Sequence, residues 1–389
     1  MLRRSLTVLR GMLIGGVALI VASQGAYAYE TKAKYAILMD ADTGAILYQK
    51  DADTLMPPAS MSKLMTIAII FRALKDGQIS PEDDFYVSEN AWRKGGGVSG
   101  TSSMFAKLNS RVKLSDLLQG IIVQSGNDAS IIIAEGLAGS EEAFARMMTD
   151  YAKRIGLTKS RFANSTGLPN PDHLMTAREL ALLALHIKAT YPDYYRYFAQ
   201  KRYNYKKYKF FNRNPLIHLP IGIDGLKTGY TKESGYGIVG AGSHEGRNLV
   251  FVVNGLESKK DRKLEARRLY EWGLRGFKSF NLFKPNEEVA SALVWGGTSL
   301  YTPLVGQNGV RVLLPRTISD KKRLKASVVY NKPLKAPIRR GDQVAVLRVR
   351  GQGSSVSEVP LYAGEDVERG GFMRRGWTSL VHLALCWIL

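Results

Sequence analysis

The sequence predicts an α+β fold: an antiparallel sheet covered by helices, an all-helical subdomain beside it, and a small all-β domain after both. Three observations carry that prediction. Strand-like apolar runs with turn residues between them occur around residues 35–48 and return between residues 203 and 254. Between these sets, from Glu82 to about Tyr195, apolar residues recur mainly at helical spacing. Past Phe277 the texture changes to short alternating runs separated by turns. Early strands, inserted helices and late strands put both strand sets into one sheet. With 389 residues and 45% hydrophobic composition, the chain has room for two domains with real cores.

Taken in order, the chain opens with the three regions of a secretory signal peptide. These are the basic Met1-Leu2-Arg3-Arg4 with Arg10, the apolar stretch Met12 to Ala22, and the small-residue site Ala26-Tyr27-Ala28. Cleavage is expected after Ala28; an uncleaved anchor is the alternative, disfavoured because the apolar run is short for a span. Either way the bulk of the chain is exported. Tyr35 to Met39 and Ala45 to Tyr48 are two strands joined through the turn Asp42-Thr43-Gly44. Pro57-Pro58 stop any strand before them, and the dense apolar run Leu64 to Leu74 is a buried helix. The helical block holds Leu114 to Val123, Asp128 to Leu137, Glu141 to Ile155 and Thr176 to Ile187. Gly95 to Ser103 interrupts it with a run too flexible for either element, which reads as a loop.

Strand patterns return at Tyr203 to Phe211, Gly225 to Thr231, Gly235 to Ala241 and Asn248 to Asn254, and a helix follows from Lys259 to Gly276. Val310 to Leu314, Leu324 to Val329, Gln343 to Val349 and Val356 to Leu361 are the alternating runs of the all-β domain. The expected organisation is a signal peptide over 1–28, a larger domain over 29–277, a β-rich domain over 278–366 and a tail over 367–389. In the tail, Met373, Trp377, Leu380, Val381 and Ala384 share one helical face, with Arg374, Arg375, Thr378, Ser379 and His382 largely opposite. Its apolar residues fall short of the roughly 20 a span needs, so it is expected to lie in a membrane interface. Docking on the protein itself is the alternative.

Charge and scarce residue types exclude several classes of function. The net charge is +21, and losing Arg3, Arg4 and Arg10 with the signal lowers it by three, to +18. For an exported chain the matching counter-charges are anionic headgroups and wall polymers, not nucleic acid. The densest patch, Lys201 to Lys209, interleaves cations with Tyr203, Tyr205 and Tyr208 and reads as a solvated hairpin. A single cysteine, Cys386, rules out a disulfide framework. The five histidines show no metal-ligand spacing, and no Gly-x-Ser-x-Gly elbow is present, so zinc and Ser-His-Asp chemistry are weak readings. No metal or cofactor is expected.

Chemistry enters at Ser60 and Lys63, which sit where Pro57-Pro58 run into the apolar helix. Three apart, they share a helical face, which pairs a nucleophile with a base. The same spacing recurs at Ser110 to Lys113 and Ser319 to Lys322, but without an apolar helix to hold it still. Downstream come Ser125-Gly126-Asn127, between helical patterns, and Lys227-Thr228-Gly229, inside a strand. Together these residues suit acyl transfer. A serine must lose its proton as it attacks, and Lys63 can take it only if uncharged. Burial and a like charge such as Lys227 both push a lysine down from about 10.4. Ser125 can relay a proton to the leaving amine, and Asn127 can hold the substrate amide. The strand Lys227-Thr228-Gly229-Tyr230 can pair with an extended peptide, its Tyr230 amide joining that of Ser60 in an oxyanion hole while Thr228 binds a terminal carboxylate.

Ser-x-x-Lys, Ser-x-Asn and Lys-Thr-Gly in this order are the signature of penicillin-binding proteins and class A β-lactamases. With Gln124 to Ala129 and Asp224 to Thr231 also in view, the chain resembles the low-molecular-mass penicillin-binding proteins of the D-alanyl-D-alanine carboxypeptidase family over nearly its whole mature length. The resemblance implies a transpeptidase-like catalytic domain, a β-rich second domain and an amphipathic tail on the outer face of the cytoplasmic membrane. It implies a peptidoglycan stem peptide ending in D-Ala-D-Ala as substrate, and acylation by β-lactam antibiotics. It also matches Arg262 to an arginine that steers the substrate carboxylate, and Arg213 to a second arginine near the site. A β-lactamase would need a deacylating base, yet the segment between Asn127 and Lys227 has Asn164-Ser165-Thr166-Gly167-Leu168-Pro169 and no Glu-x-x-Leu-Asn run. A DD-endopeptidase shares the motifs, and a non-catalytic wall-binding protein remains the rival outside enzymes.

Overall fold

A computed structural model describes residues 29–316, 325–350 and 356–372. The signal segment and the tail from residue 373 onward lie outside the described residues. Strands β1 (Tyr35–Asp40) and β2 (Ile46–Lys50) form the expected hairpin. A 3-10 turn over Ala59–Ser62 leads into α1 (Lys63–Lys75). Only Arg72 and Lys75 of that helix reach outward, as a helix apolar on all sides must in a core. The helical block comprises the short pair β3 (Asp84–Tyr86) and β4 (Arg111–Lys113), with α2 (Glu89–Gly95) between them. It continues through α3 (Leu114–Gln119), α4 (Asn127–Ala138), α5 (Glu141–Arg154), α6 (Ala177–Thr190) and α7 (Pro192–Tyr195).

The chain then returns as the hairpin β5 (Arg202–Tyr205) and β6 (Tyr208–Phe211) and the three long strands β7 (Ile223–Thr231), β8 (Gly235–His244) and β9 (Arg247–Leu256). Helix α8 (Lys259–Gly276) follows with the predicted bounds. Early and late strands share one antiparallel sheet in the order β2-β1-β9-β8-β7, which leaves β7 on an edge. Its period of two sorts the side chains to opposite faces. Ile37, Met39, Val250 and Val252 face the core shared with α1 and α6, whereas Leu38, Leu249, Phe251 and Val253 face Leu269 and Tyr270 of α8. At about 1.5–3 kcal/mol for each buried Leu, Ile or Phe, this packing pins the sheet edge against the start of α1.

Two local readings differ. The run Leu114 to Val123 is not one helix: α3 gives way to a π-helical turn over Gly120–Gln124, which ends at Ser125 in a left-handed conformation (φ 63°, ψ 34°). The glycine-rich run Gly95 to Ser103 is only partly loop, since Gly95 closes α2 and Gly97–Ser99 is a 3-10 turn. The cationic run Lys201 to Lys209 is the hairpin expected. Tyr203, Tyr205 and Phe210 face inward while Arg202, Asn204 and Lys209 face water.

Beyond α8 come β10 (Phe277–Phe283), β11 (Glu288–Trp295), β12 (Tyr301–Val305), β13 (Val310–Pro315), β14 (Lys325–Val329), β15 (Leu334–Lys335), β16 (Gln343–Arg350) and β17 (Val356–Ala363). Six of them form a sheet in the order β14-β16-β17-β12-β11-β15, around a core of its own that includes Val294, Leu304, Leu347 and Leu361. The sequence pattern picked out β13, β14, β16 and β17. It missed β10, β15, β11 and β12; in the last two, small residues (Ala290, Ala292) and Pro303 weaken the alternation and cross-strand pairing decides.

Candidate active site

Three elements meet at the turn that carries Ser60. Ser60 lies in the 3-10 turn and Lys63 is the first residue of α1, so Ser60 is not on the helix itself. Side chains three apart eclipse in a 3-10 turn, so the facing expected of a helix is preserved. Ala59, just before Ser60, holds φ 49°, and the buried Pro58 and the Ser62 hydroxyl, which donates to the Ala59 carbonyl at 3.0 Å, brace the turn. The edge strand β7 runs past it, where Gly229 leaves the needed room: a Cβ there would sit 3.0 Å from the Pro58 carbonyl oxygen and 3.1 Å from Ala59 Cβ.

Lys63 is fully buried, and its Nζ has three neighbours: Asn127 Oδ1 at 2.6 Å, the Thr166 carbonyl at 2.5 Å and Ser60 Oγ at 3.1 Å. The first two can only accept. A neutral amine has two N–H bonds and one lone pair, so donating to both oxygens leaves the lone pair for the Ser60 hydroxyl. Burial first, and the Arg213 charge second, bring the Lys63 ammonium down to about 7. The like charge expected beside Lys63 was Lys227; the repulsion between the two lysines appears in the depression of Lys227, and the Arg213 guanidinium, which lines the cleft, adds a further cation acting on Lys63. Gly167 lets the Thr166 carbonyl reach Lys63: it holds φ 75° and a Cβ there would overlap the Ala59 carbonyl.

On the opposite wall Lys227 Nζ donates to Ser125 Oγ at 2.7 Å and to the Thr228 carbonyl at 3.1 Å. Burial, then the charges of Lys63, Arg213 and Arg262, hold Lys227 well below the usual lysine range. Asn127 is oriented from both ends, accepting from Lys63 and donating from Nδ2 to Thr101 Oγ1 at 3.0 Å. Its neighbour Asp128 is buried and clamps the loop that carries Thr101. It accepts from Ser103 Oγ at 2.7 Å and from the amides of Met104 and Ala106 at 2.9 and 3.1 Å.

A cleft of about 550 Å³ opens above these groups. Ser60, Ser125, Thr228, Gly229, Tyr230, Arg213 and Arg262 line it, and Lys63, Asn127 and Lys227 lie just beneath, bonded to lining residues or their neighbours. All ten residues singled out in the sequence therefore gather at one place. Sequence reasoning missed Ser102, which accepts from Arg213 Nη1 at 2.7 Å, and Lys259 and Tyr236 on the cleft wall. Tyr236 stacks on Tyr230 at 4.1 Å between centroids and sits 5.7 Å from the Arg262 guanidinium carbon. Arg262 Nε is buried with no hydrogen-bond partner among the described residues. The cleft thus has the Ser60 hydroxyl and the Lys63 amine at its floor, a second amine–hydroxyl pair, Lys227 and Ser125, beside them and three cations, Arg213, Lys259 and Arg262, at one side. That arrangement suits acyl transfer from a substrate with an anionic end.

Comparison with known proteins points the same way. The family model described as D-alanyl-D-alanine carboxypeptidase matches residues 21–258, and that described as penicillin-binding protein 5, C-terminal domain, matches residues 277–369. The D-alanyl-D-alanine carboxypeptidase DacC of Escherichia coli K12 is 35% identical over 381 residues, covering 95% of each chain. Among solved structures, penicillin binding protein 5 from Haemophilus influenzae is 30% identical with a TM-score of 0.73, covering 89% of this chain and 100% of that one. Penicillin-binding protein D2 from Listeria monocytogenes, in its ampicillin-bound form, is 25% identical with a TM-score of 0.56, covering 64% of this chain and 99% of that one. The chain belongs to the D-alanyl-D-alanine carboxypeptidase family.

Proposed function

We propose that Ser60 is the nucleophile of a serine-type D-Ala-D-Ala carboxypeptidase that trims peptidoglycan stem peptides, with neutral Lys63 as its base. The observation that carries the reading is the buried Lys63 Nζ held between Asn127 Oδ1, the Thr166 carbonyl and Ser60 Oγ at 3.1 Å; in its neutral form its two N–H bonds go to the first two oxygens and its lone pair to the serine hydroxyl. The Ser60 proton passes to Lys63 as Oγ bonds to the carbonyl carbon of the penultimate residue. The bond to the terminal D-Ala nitrogen then breaks, and Ser125, held by Lys227, relays to that nitrogen the proton that Lys63 took up, so that Lys63 and Ser125 both return to their starting forms. Water cleaves the resulting ester and restores Ser60. The free edge of β7 pairs with the extended peptide, Gly229 allows its close approach, and the amides of Tyr230 and Ser60 stabilise the oxyanion. Asn127 holds the substrate amide. Thr228, with Arg262 and Arg213, receives the terminal carboxylate, and Lys259 adds a third cation to that side.

β-Lactams acylate the same serine in this reading, supported by the likeness to the ampicillin-bound Listeria protein. Wild-type protein is expected to be stably labelled by a fluorescent penicillin and to release D-Ala from Nα,Nε-diacetyl-L-Lys-D-Ala-D-Ala. Label without D-Ala release would move the assignment to an endopeptidase or a binder, and rapid loss of label to a lactamase.

The assignment extends to the ends of the chain. Residues 29–277 form the catalytic domain, and the β-rich domain runs from 278 past the expected end at 366 to about 370, since Val367 lies in its core and pairs with Ile338, and the Gly370 amide donates to the Gly296 carbonyl; 1–28 direct export, and the tail beyond lies on the outer surface of the cytoplasmic membrane. Among the described residues no helix is long and apolar enough to cross a membrane. Deleting residues 370–389 is expected to shift the protein from the membrane fraction to the soluble one while turnover of the soluble tripeptide continues. Unchanged fractionation would remove the anchor.

A further inference from the structure

A second cavity, of about 360 Å³, lies on the other side of the nucleophile turn from the cationic wall. Pro57, Pro58 and Ala59 line it together with Leu168 and Pro169, as do Thr231 at the end of β7 and Glu233 in the turn that follows. No role in the reaction so far uses it.

Its place along the substrate follows from the chemistry of the cleft. The terminal carboxylate lies with Thr228 and the three cations, and the leaving nitrogen faces Ser125 and Lys227. The acyl half of the peptide must therefore leave Ser60 in the opposite direction, past Tyr230 toward Thr231. The second cavity begins there, since Ala59 and Thr231 both line it.

The walls are mainly apolar, which suits methyl and methylene groups. His173 also lines the cavity; its Nδ1 accepts from the Ala163 amide at 3.2 Å, and burial, with the nearby Lys63 charge, brings it down to about 4, so it is neutral at pH 7. Among the described lining residues, that leaves Glu233 as the only charge. Glu233 is exposed, at the rim. The turn that presents it is fixed: the Thr231 amide donates to Ser234 Oγ at 2.9 Å and the Ser234 amide to Thr231 Oγ1 at 3.1 Å. In a chain of net charge +21, an acid held at the mouth of an apolar cavity selects against anions and for one cation.

We propose that this cavity receives the side chain of the residue preceding D-Ala-D-Ala, and that Glu233 pairs with a free amine at the end of it. The inference rests on the carboxypeptidase reading and adds to it a preference for stem peptides whose diamino acid has an unblocked side-chain ammonium.

The test compares D-Ala release, as kcat/KM, from Nα-acetyl-L-Lys-D-Ala-D-Ala and from the same peptide acetylated at Nε. For the wild type at low ionic strength the free amine should be favoured about two- to five-fold, the range of an exposed ion pair. Salt should shrink the ratio. Glu233→Gln should bring it to about one and Glu233→Lys below one, while Glu233→Asp keeps part of it. Glu245→Gln, with the same net charge change at a site away from both cavities, should keep the wild-type ratio. A ratio of one in the wild type, or an equal ratio in the wild type and Glu233→Gln, overturns the proposal. If the wild type releases D-Ala from neither peptide, the carboxypeptidase reading itself falls and takes the proposal with it, a result distinct from turnover without preference.

Discussion

Ser60→Ala is expected to abolish penicillin labelling and to lower D-Ala release by about 10⁴-fold or more, the scale seen when a catalytic serine is removed from an acyl-transfer site. Without Oγ no ester can form, and the remaining cleft only binds. The variant should fold as the wild type does. Lys63 keeps its two stronger partners, Asn127 Oδ1 and the Thr166 carbonyl, and no buried acceptor is orphaned, so stability should change by no more than about 1 kcal/mol. Peptide binding should survive, since the cations and the edge of β7 are untouched. Labelling at the wild-type rate in Ser60→Ala would assign the nucleophile elsewhere.

Replacing Lys63 by Arg should cost about 10²- to 10⁴-fold in acylation, because a guanidinium can donate to Asn127 and Thr166 but cannot take up a proton near neutral pH. The pH profile separates this from a packing defect. The reactive form is the neutral amine. With Lys63 at about 7, wild-type kcat/KM should rise about tenfold per pH unit below that value and level off above it. Arg213 is the second cause of the depression, so Arg213→Gln should move the rising limb to higher pH. An acid limb in the carboxylate range, or one unmoved by Arg213→Gln, would transfer the base to another group. The same depression acts on stability with a definite sign. Between about 7 and the unfolded value near 10.4, the unfolded chain binds a proton that the folded one lacks, so this group makes stability rise with pH across that window.

Much of this site is legible in the sequence alone, for a chemical reason. Ser60 with Lys63, Ser125 with Asn127, and Lys227 with Thr228 are each local pairs of reactive residue types, so one short segment displays both members. The partners that complete the site are not of that kind. Thr166 contributes a backbone carbonyl, which any residue has. Thr101 and Ser102 sit in a run dominated by glycines, and its composition hid that Asp128, 26 residues beyond Ser102, clamps it. Lys259 and Tyr236 look like ordinary surface and strand residues until β7, β8 and α8 pack together. Arg213 was matched to the site, but its hold on the Lys63 proton depends on a separation in space that 150 residues of chain do not encode.

By itself the sequence determined the elements and the reactive vocabulary: a core helix behind Ser60, a block of helices between two sets of strands, and three motifs suited to acyl transfer. Periodicity and residue type are local properties, and local interactions suffice to express them. Only the tertiary structure decided that Ser60 stands in a 3-10 turn, that β7 is left on an edge, that burial and then the Arg213 charge bring Lys63 down, and that a second cavity with one acid opens beyond Ala59. Each of these depends on which distant segments exclude water together, and burial and proximity, not composition, set the charge state of a lysine.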